Sequence, residues 1–241
     1  MKLTKRTLLA VSLATAGIGA GLWAFGRPWW RPLSIQRLGE QTLDQVLADL
    51  GPRLDGEWAA LHRANQLPYP PAELALVATK LERQLEVWSR AAQGPFKRLA
   101  SFPILAASGQ AGPKLREGDR QVPEGQYRIL SFNPNSRFHL SMELDYPNAF
   151  DRAQAAAEGR TQLGGEIYLH GGAASVGCLA MGDPVIEKLF ILVARAGRDQ
   201  TRVLILPQEP SGAGWPLPPT APPWLQELYR QLWDALRQVR G

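Results

Sequence analysis

The sequence predicts a mainly β protein of the α+β class, and three observations support this. Residues 71–207 consist of short runs rich in β-branched and aromatic residues, separated by turn-like pieces. The preceding stretch, 34–66, spaces its apolar residues three and four apart, as helices do. The stretch 223–239 has an apolar stripe with arginine and glutamine opposite, which predicts an amphipathic helix. With 241 residues, 45% of them hydrophobic, the chain is large enough to bury a core.

The N-terminus is typical of an exported protein. Lys2, Lys5 and Arg6 precede the run 8–25, which carries no charge. A basic lead followed by an apolar run is the pattern of a signal peptide, and this run is also long enough to span a bilayer. We therefore expect residues 1–26 to be either a signal peptide or an inner-membrane anchor. The basic flank places the rest of the chain outside the cytoplasm, in the periplasm or cell envelope.

The elements of the remaining chain follow in order. In 27–70 we expect a helical hairpin, because Gly51-Pro52 separates two helical patterns and LPYPP (67–71) ends the second. The catalytic domain is expected at 71–207. Its predicted strands lie within 73–80, 84–90, 96–108, 126–133, 138–146, 166–172 and 201–207. Its predicted helices are a short one over 149–160 and a longer one over 183–197. We expect 208–241 to be a Pro-rich linker and a C-terminal helix that packs on the domain; membrane or partner contact is the alternative.

The net charge is +5, and the basic residues are scattered without a run of five. This distribution gives no footprint for nucleic acid. It suits an anionic partner such as an acidic cell-wall polymer.

The segment HGGAASVGC holds the only cysteine, Cys178, and one of three histidines, His170. A cysteine nucleophile needs a nearby base and backbone N–H donors for the developing oxyanion. Gly177 permits a tight turn, so that its N–H and that of Cys178 could form an oxyanion hole. Asp183 is a plausible N-cap with Pro184 at the first helical position, and that helix start would favour a thiolate if it pointed at the sulfur.

Three other interpretations of this segment remain open. Ser175 could be the nucleophile of a loose elbow motif, although Ala173 stands where that motif has glycine. His170 and Cys178 could bind a metal with His62 or His139, although those two lie in ordinary helix and strand patterns. A lone cysteine can also be a buried structural residue.

The segment IYLHGGAASVGCLAMGD (167–183) resembles the active-site segment of the YkuD-type L,D-transpeptidases, specifically their YafK-like branch. Three upstream stretches resemble that branch as well: LERQLEVW, GPKLREGDRQVPEGQYRI and NPNSRFHLSMELDYPNAFDR. The resemblance extends over residues 70–207, with the motifs in one order. It implies a catalytic core of the L,D-transpeptidase type, a β-sandwich or meander, that works without metal or cofactor.

The resemblance also implies roles for individual residues. Cys178 would be the nucleophile, His170 the general base, and the Gly171 carbonyl the group that orients the histidine. Ser175 and Gly177 would belong to the turn that presents the thiol and to the oxyanion hole. The chain departs from the commoner pattern at Val176, at Ala180 and in a shorter His–Cys gap.

The implied substrate is a peptidoglycan stem peptide. Lys114, Arg116 and Arg120 in the loop 109–125 are candidates for binding its carboxylates, with Arg137 and Tyr146 as weaker ones. An amine acceptor would give a transpeptidase, and a peptidoglycan-linked lipoprotein is a further candidate partner. Water as acceptor would give a hydrolase, and a non-catalytic cell-wall binding module is the remaining alternative.

Overall fold

The computed structural model of the protein describes residues 39–241 except Ala213 and Thr220. The predicted signal or anchor segment, 1–26, lies outside the described residues. Within them, the helices are α1 (Leu43–Ala64), α2 (Ala149–Ala157), α3 (Asp183–Ala196) and α4 (Leu225–Arg240). The strands are β1 (Glu73–Thr79), β2 (Gln84–Arg90), β3 (Lys97–Pro103), β4 (Gly125–Ser136), β5 (His139–Leu144), β6 (Tyr168–His170), β7 (Leu179–Ala180) and β8 (Thr201–Leu206).

The strands form one mixed sheet in the order β3-β2-β1-β8-β4-β5-β6-β7. The first three make the predicted antiparallel meander, and β8 inserts beside β1 in parallel. The long strand β4 pairs with β8 through its first residues and with β5 through the rest. The α+β class is therefore confirmed. In detail the strands join in a single sheet, where the resemblance had implied a sandwich or meander.

The predicted helical hairpin was wrong, because α1 is one continuous helix with Pro52 inside it. A proline removes one helical hydrogen bond, which is why Gly51-Pro52 predicts a break. The apolar stripe nevertheless continues across this point, with Val46, Leu54 and Trp58 buried on one face. Burial of both halves against the domain outweighs the local cost of the proline, as tertiary packing often does.

Helices cover both faces of the sheet. On one face, Leu74, Leu76 and other strand residues share a core with α1 and α3. On the other face, Ala75 and Val77 pack against α4 together with Leu204 and Leu206 of β8. The C-terminal helix thus packs on the domain, as predicted. None of the helices within 39–212, 214–219 and 221–241 is long and apolar enough to cross a membrane.

A buried ion pair fixes the loop 109–125 to the sheet. The Lys80 Nζ atom lies 3.0 Å from Glu124 Oε1 and donates to the carbonyls of Gly112 and Val122 at 3.0 and 2.9 Å. The Glu124 carboxylate, 1% exposed, also accepts the Gly112 N–H at 2.8 Å and the Tyr229 hydroxyl of α4 at 2.9 Å. Burial lowers the pKa of Lys80, and the neighbouring Glu124 acts against this. One carboxylate therefore joins the sheet, the loop and α4.

We predict that Glu124→Gln lowers the free energy of unfolding by about 3–5 kcal/mol, because it leaves the Lys80 ammonium buried without its counterion. Urea denaturation measures this loss. In the double variant Glu124→Gln with Lys80→Met, the loss should be smaller than the sum of the single losses, since neither charge remains. Asp234→Asn is the control for loss of an exposed ion pair: it removes the partner of two exposed arginines and should change the free energy of unfolding little. Additive losses in the double variant would contradict a coupled pair.

Candidate active site

Two adjacent parallel strands bring His170 and Cys178 to one cavity. β6 ends at His170, and β7 begins just after Cys178, with Leu169 opposite Leu179 and His170 opposite Ala180. Because side chains alternate along a strand, this register puts Cys178 on the same face as Tyr168 and His170. All three line a cavity of about 570 Å³ that also takes in Glu166. The two residues singled out by the sequence thus meet in space.

The His170 ring is held so that one nitrogen is left to act as a base. Its Nδ1 lies 2.6 Å from the Gly171 carbonyl oxygen. A carbonyl only accepts, so Nδ1 carries the hydrogen and Nε2 keeps its lone pair. The Phe138 ring packs 4.6 Å from the imidazole, centroid to centroid, and the histidine is only 3% exposed. Burial lowers the pKa of His170 and so favours the neutral imidazole, and the hydrogen bond to the Gly171 carbonyl acts in the opposite direction.

The Cys178 thiol makes a hydrogen bond to a backbone carbonyl. Its Sγ lies 3.6 Å from the Glu166 carbonyl oxygen, to which the S–H donates. Burial raises the pKa of the Cys178 thiol, and the Glu166 charge adds to this. The Tyr168 backbone N–H and the Lys114 charge act in the opposite direction but are outweighed. Both shifts favour the neutral thiol and the neutral imidazole over a thiolate–imidazolium pair.

Two serine hydroxyls accept the backbone N–H groups that the sequence suggested as an oxyanion hole. The Gly177 N–H donates to Ser108 Oγ at 2.7 Å, and the Cys178 N–H donates to Ser175 Oγ at 3.0 Å. The Ser175 hydroxyl in turn donates to the Cys178 carbonyl at 2.6 Å. A substrate oxyanion would have to replace one of these hydroxyls. Ser175 lines the cavity and Ser108 does not, so the Cys178 N–H is the donor that a substrate can reach.

Gly171 sits where a side chain has no room. A Cβ atom there would lie 2.5 Å from the Asp183 Oδ1 atom and closer still to the Phe138 carbonyl oxygen. Asp183 was predicted as the N-cap of α3, but the N-cap is Gly182 and Asp183 is the first helical residue. Its carboxylate accepts the Gly172 N–H at 2.9 Å. The start of α3 therefore holds the loop that follows His170.

The predicted carboxylate-binding residues do not lie together. Arg137 is exposed and lines the cavity. Lys114 is buried, 2.6 Å from Asp119 and 2.9 Å from the Arg116 carbonyl, and the Tyr146 hydroxyl donates to the Leu163 carbonyl at 3.2 Å. Arg116 and Arg120 are exposed, on the same loop as Lys114, and neither lines the cavity.

The other two histidines have partners outside the cavity. The His62 ring lies between the Trp58 carbonyl, 2.8 Å from Nδ1, and the Ser89 hydroxyl, 3.1 Å from Nε2. His139 Nε2 lies 2.7 Å from Glu187 on α3. Within residues 39–212, 214–219 and 221–241, no three His, Cys, Asp or Glu side chains are grouped as a metal would require.

Sequence reasoning missed Ser108, Phe138, Glu166 and Tyr168. Glu166 and Tyr168 precede His170 by four and two positions, so the two-residue period of a strand could have identified them. Ser108 is 69 positions from Gly177, and no local pattern links the two.

Comparisons with known proteins match the domain that contains this cavity. The YkuD model, described as an L,D-transpeptidase catalytic domain, matches residues 76–205. The Escherichia coli K12 protein named "Putative L,D-transpeptidase YafK" is 34% identical over 133 residues, which are 53% of this chain and 51% of the relative. The match to the Escherichia coli O157:H7 protein of the same name has the same values. The alignment thus spans about half the length of these curated relatives.

Two solved structures show partial likeness. The helical cell shape determining protein Pgp2 from Campylobacter jejuni is 22% identical with a TM-score of 0.47, over 57% of this chain and 48% of that one. Bd1075 from Bdellovibrio bacteriovorus is 20% identical with a TM-score of 0.44, over 70% of this chain and 56% of that one.

We predict that Gly171→Ala destabilises the fold by about 1–3 kcal/mol, because the added methyl group must displace backbone and carboxylate oxygens. Denaturant unfolding measures the loss, and alkylation of Cys178 reports any change in the cavity. Gly165→Ala is the matched control, since a Cβ there meets only the Tyr146 carbonyl oxygen at 4.0 Å. Equal stability of the two variants would contradict the packing described for Gly171.

We also predict that the rate of Cys178 alkylation by iodoacetamide rises with pH through a midpoint above that of an ordinary cysteine. Burial raises the thiol pKa, so the reactive thiolate forms only at higher pH in the free protein. Following the loss of free thiol between pH 6 and pH 10.5 gives the midpoint. A midpoint near or below neutrality would instead indicate a preformed thiolate–imidazolium pair.

Proposed function

The chain belongs to the L,D-transpeptidase catalytic domain (YkuD) family, and on this basis we propose that it is an exported, cysteine-dependent enzyme that acts on peptidoglycan stem peptides. The observation that carries the proposal is the meeting of Cys178 and His170 in one cavity, with His170 Nδ1 fixed on the Gly171 carbonyl. We include export to the periplasm or cell envelope because of the N-terminal pattern, and inner-membrane attachment through 8–25 is part of the same proposal.

In the acylation step, His170 Nε2 takes the proton of the Cys178 thiol as the sulfur attacks the carbonyl on the L-centred carbon of the diamino acid. An S–C bond forms and the carbonyl π electrons move to oxygen. When the tetrahedral intermediate collapses, the C–N bond breaks and the imidazolium gives its proton to the leaving amine. A thioester remains on Cys178 with His170 neutral again, ready to take a proton from the acceptor.

The oxyanion of that intermediate needs a hydrogen-bond donor, and in this proposal the Cys178 N–H is that donor. Its present partner, the Ser175 hydroxyl, lies on the cavity wall and can be replaced by the substrate oxygen. The Gly177 N–H points to Ser108, outside the cavity lining, so in this proposal it holds the turn. Ser175 and Gly177 thus have different parts in one turn.

The neutral thiol and imidazole fit a proton transfer that takes place with substrate bound. Bringing a substrate into the cavity excludes water and brings the carbonyl carbon to the sulfur, so the negative charge moves directly onto the substrate oxygen. Such an enzyme does not keep a reactive thiolate between turnovers. In an oxidising compartment this protects an unpaired cysteine.

Transpeptidation to a stem amine is the reaction that the family membership supports. One observation favours hydrolysis as a second candidate. Val176 and Ala180 occupy positions where many members carry a cationic or imidazole side chain; Val176 is 71% exposed on the cavity wall, and Ala180 is fully buried. Neither can bind an acceptor carboxylate, whereas water needs no such contact. A peptidoglycan-linked lipoprotein is then a candidate substrate for release.

The test is to incubate the purified protein with muropeptides and with cross-linked sacculi and to identify products by mass spectrometry. We expect Cys178→Ala to abolish turnover, because no thioester can form. We expect Ser175→Ala to retain activity at a rate reduced by about tenfold, since it loses a backbone contact but not the nucleophile. Dimeric muropeptides would indicate transpeptidation, and shortened stems or released protein would indicate hydrolysis. Full activity of Cys178→Ala would refute the proposal.

A further inference from the structure

Glu166 has an unusual position beside the candidate nucleophile. It lies two residues before β6, and its carbonyl oxygen is the acceptor 3.6 Å from Cys178 Sγ. Its φ angle is +55°, in the left-handed region that non-glycine residues rarely adopt. A strained backbone of this kind is frequent at functional sites.

The Glu166 side chain has no hydrogen-bonding role in the described part of the fold. The residue is exposed and lines the cavity, and its carboxylate has no hydrogen bond or ion pair with any residue in the described part of the chain. Among the described residues that line the cavity, Glu166 has the only carboxylate, and Arg137 is the other charged residue. The carboxylate is therefore available to a ligand in the cavity.

This carboxylate opposes the reaction in the free protein. A negative charge near a thiol disfavours the thiolate, and Glu166 raises the pKa of both Cys178 and the Tyr168 phenol. Lys114, buried behind the site, acts the other way on Cys178. A carboxylate that hinders formation of the nucleophile and has no polar partner within the described residues is suited to bind a cation.

We propose that Glu166 binds a primary ammonium group of the acyl donor and places it beside the Cys178 sulfur. The cation neutralises the carboxylate, and in doing so it removes the charge that opposes thiolate formation. Donors with a free side-chain amine therefore activate the thiol that attacks them, and donors without one do not. This inference rests on the proposed function for the identity of the donor, the diamino acid of a stem peptide, but the cation site itself does not.

Charged thiol reagents of similar size test the cation site without any enzymatic turnover. Rates of Cys178 labelling are measured with 2-(trimethylammonium)ethyl, 2-sulfonatoethyl and methyl methanethiosulfonate on the full chain. We expect the cationic reagent to react faster than the anionic one, and Glu166→Gln to reduce this ratio by about tenfold. Glu166→Asp should keep most of the preference. Glu117→Gln, which removes an exposed carboxylate that does not line the cavity, is the control and should leave the ratio unchanged.

The neutral reagent separates an electrostatic role from a structural one. With the carboxylate gone, Glu166→Gln should react faster than the unmodified protein with methyl methanethiosulfonate, because its thiolate forms more easily. A loss of reactivity toward all three reagents would indicate that Glu166 only shapes the loop, and would overturn the inference. An unchanged ratio of cationic to anionic rates in Glu166→Gln would overturn it as well.

Turnover then connects the site to the donor. Stem peptides with a free side-chain amine and with the same amine acetylated are compared as donors. We expect about tenfold higher kcat/KM for the free amine, and loss of this preference in Glu166→Gln. Equal turnover of both donors by the unmodified protein would overturn the inference and leave the proposed function intact. Charge-selective labelling without turnover of either donor would overturn the proposed function and leave the cation site intact.

Discussion

The site depends on an unusually short connection between two parallel strands. Parallel neighbours are ordinarily joined by a crossover of about a dozen or more residues, usually through a helix. Here β6 and β7 are joined by residues 171–178 alone. So short a connection requires tight backbone turns, which glycine permits. This explains the glycines at 171, 172 and 177, two of which have positive φ. It also explains why a histidine that ends one strand and a cysteine that directly precedes the next share a cavity.

A loop of this kind has many backbone groups that the sheet cannot satisfy, and side chains from elsewhere satisfy them. Asp183 accepts the Gly172 N–H, Ser108 accepts the Gly177 N–H and Ser175 accepts the Cys178 N–H. Each of these bonds fixes a different part of the turn. Only one of the three acceptors, Ser175, lies on the cavity wall. A ligand in the cavity could therefore replace the Ser175 hydroxyl, whereas the other two hydrogen bonds lie away from the cavity. In the proposed mechanism, this difference allows the substrate oxyanion to replace the Ser175 hydroxyl on the Cys178 N–H.

The sequence predicted every strand except β7, predicted the C-terminal helix, and singled out Cys178 and His170, because each depends on local pattern: alternation, an apolar stripe, and rare reactive residues among glycines. It did not predict the contacts that form only in the folded chain. Pro52 predicts a break, but the stripe of α1 is buried on both sides of it. Lys114 was expected to bind substrate, yet it is 2.6 Å from Asp119 inside its own loop. The sequence does not show whether a basic residue pairs with a ligand or with a neighbouring acidic residue, and only the folded structure distinguishes the two.

The loop 109–125 shows how far the support of the site extends. The Tyr229 hydroxyl of α4 donates to Glu124, whose other oxygen is bound by Lys80 and the Gly112 N–H. Lys80 also binds the Val122 carbonyl, and the Val122 N–H donates to the Ser108 carbonyl at 3.3 Å. Ser108 then accepts the Gly177 N–H with its hydroxyl. Contacts therefore run without a gap from the C-terminal helix to the residue beside the nucleophile. Every link is a hydrogen bond to a buried or half-buried group, so the support of the Gly177 turn reaches as far as α4. His170 does not depend on this chain of contacts, because the Gly171 carbonyl and the Phe138 ring hold it.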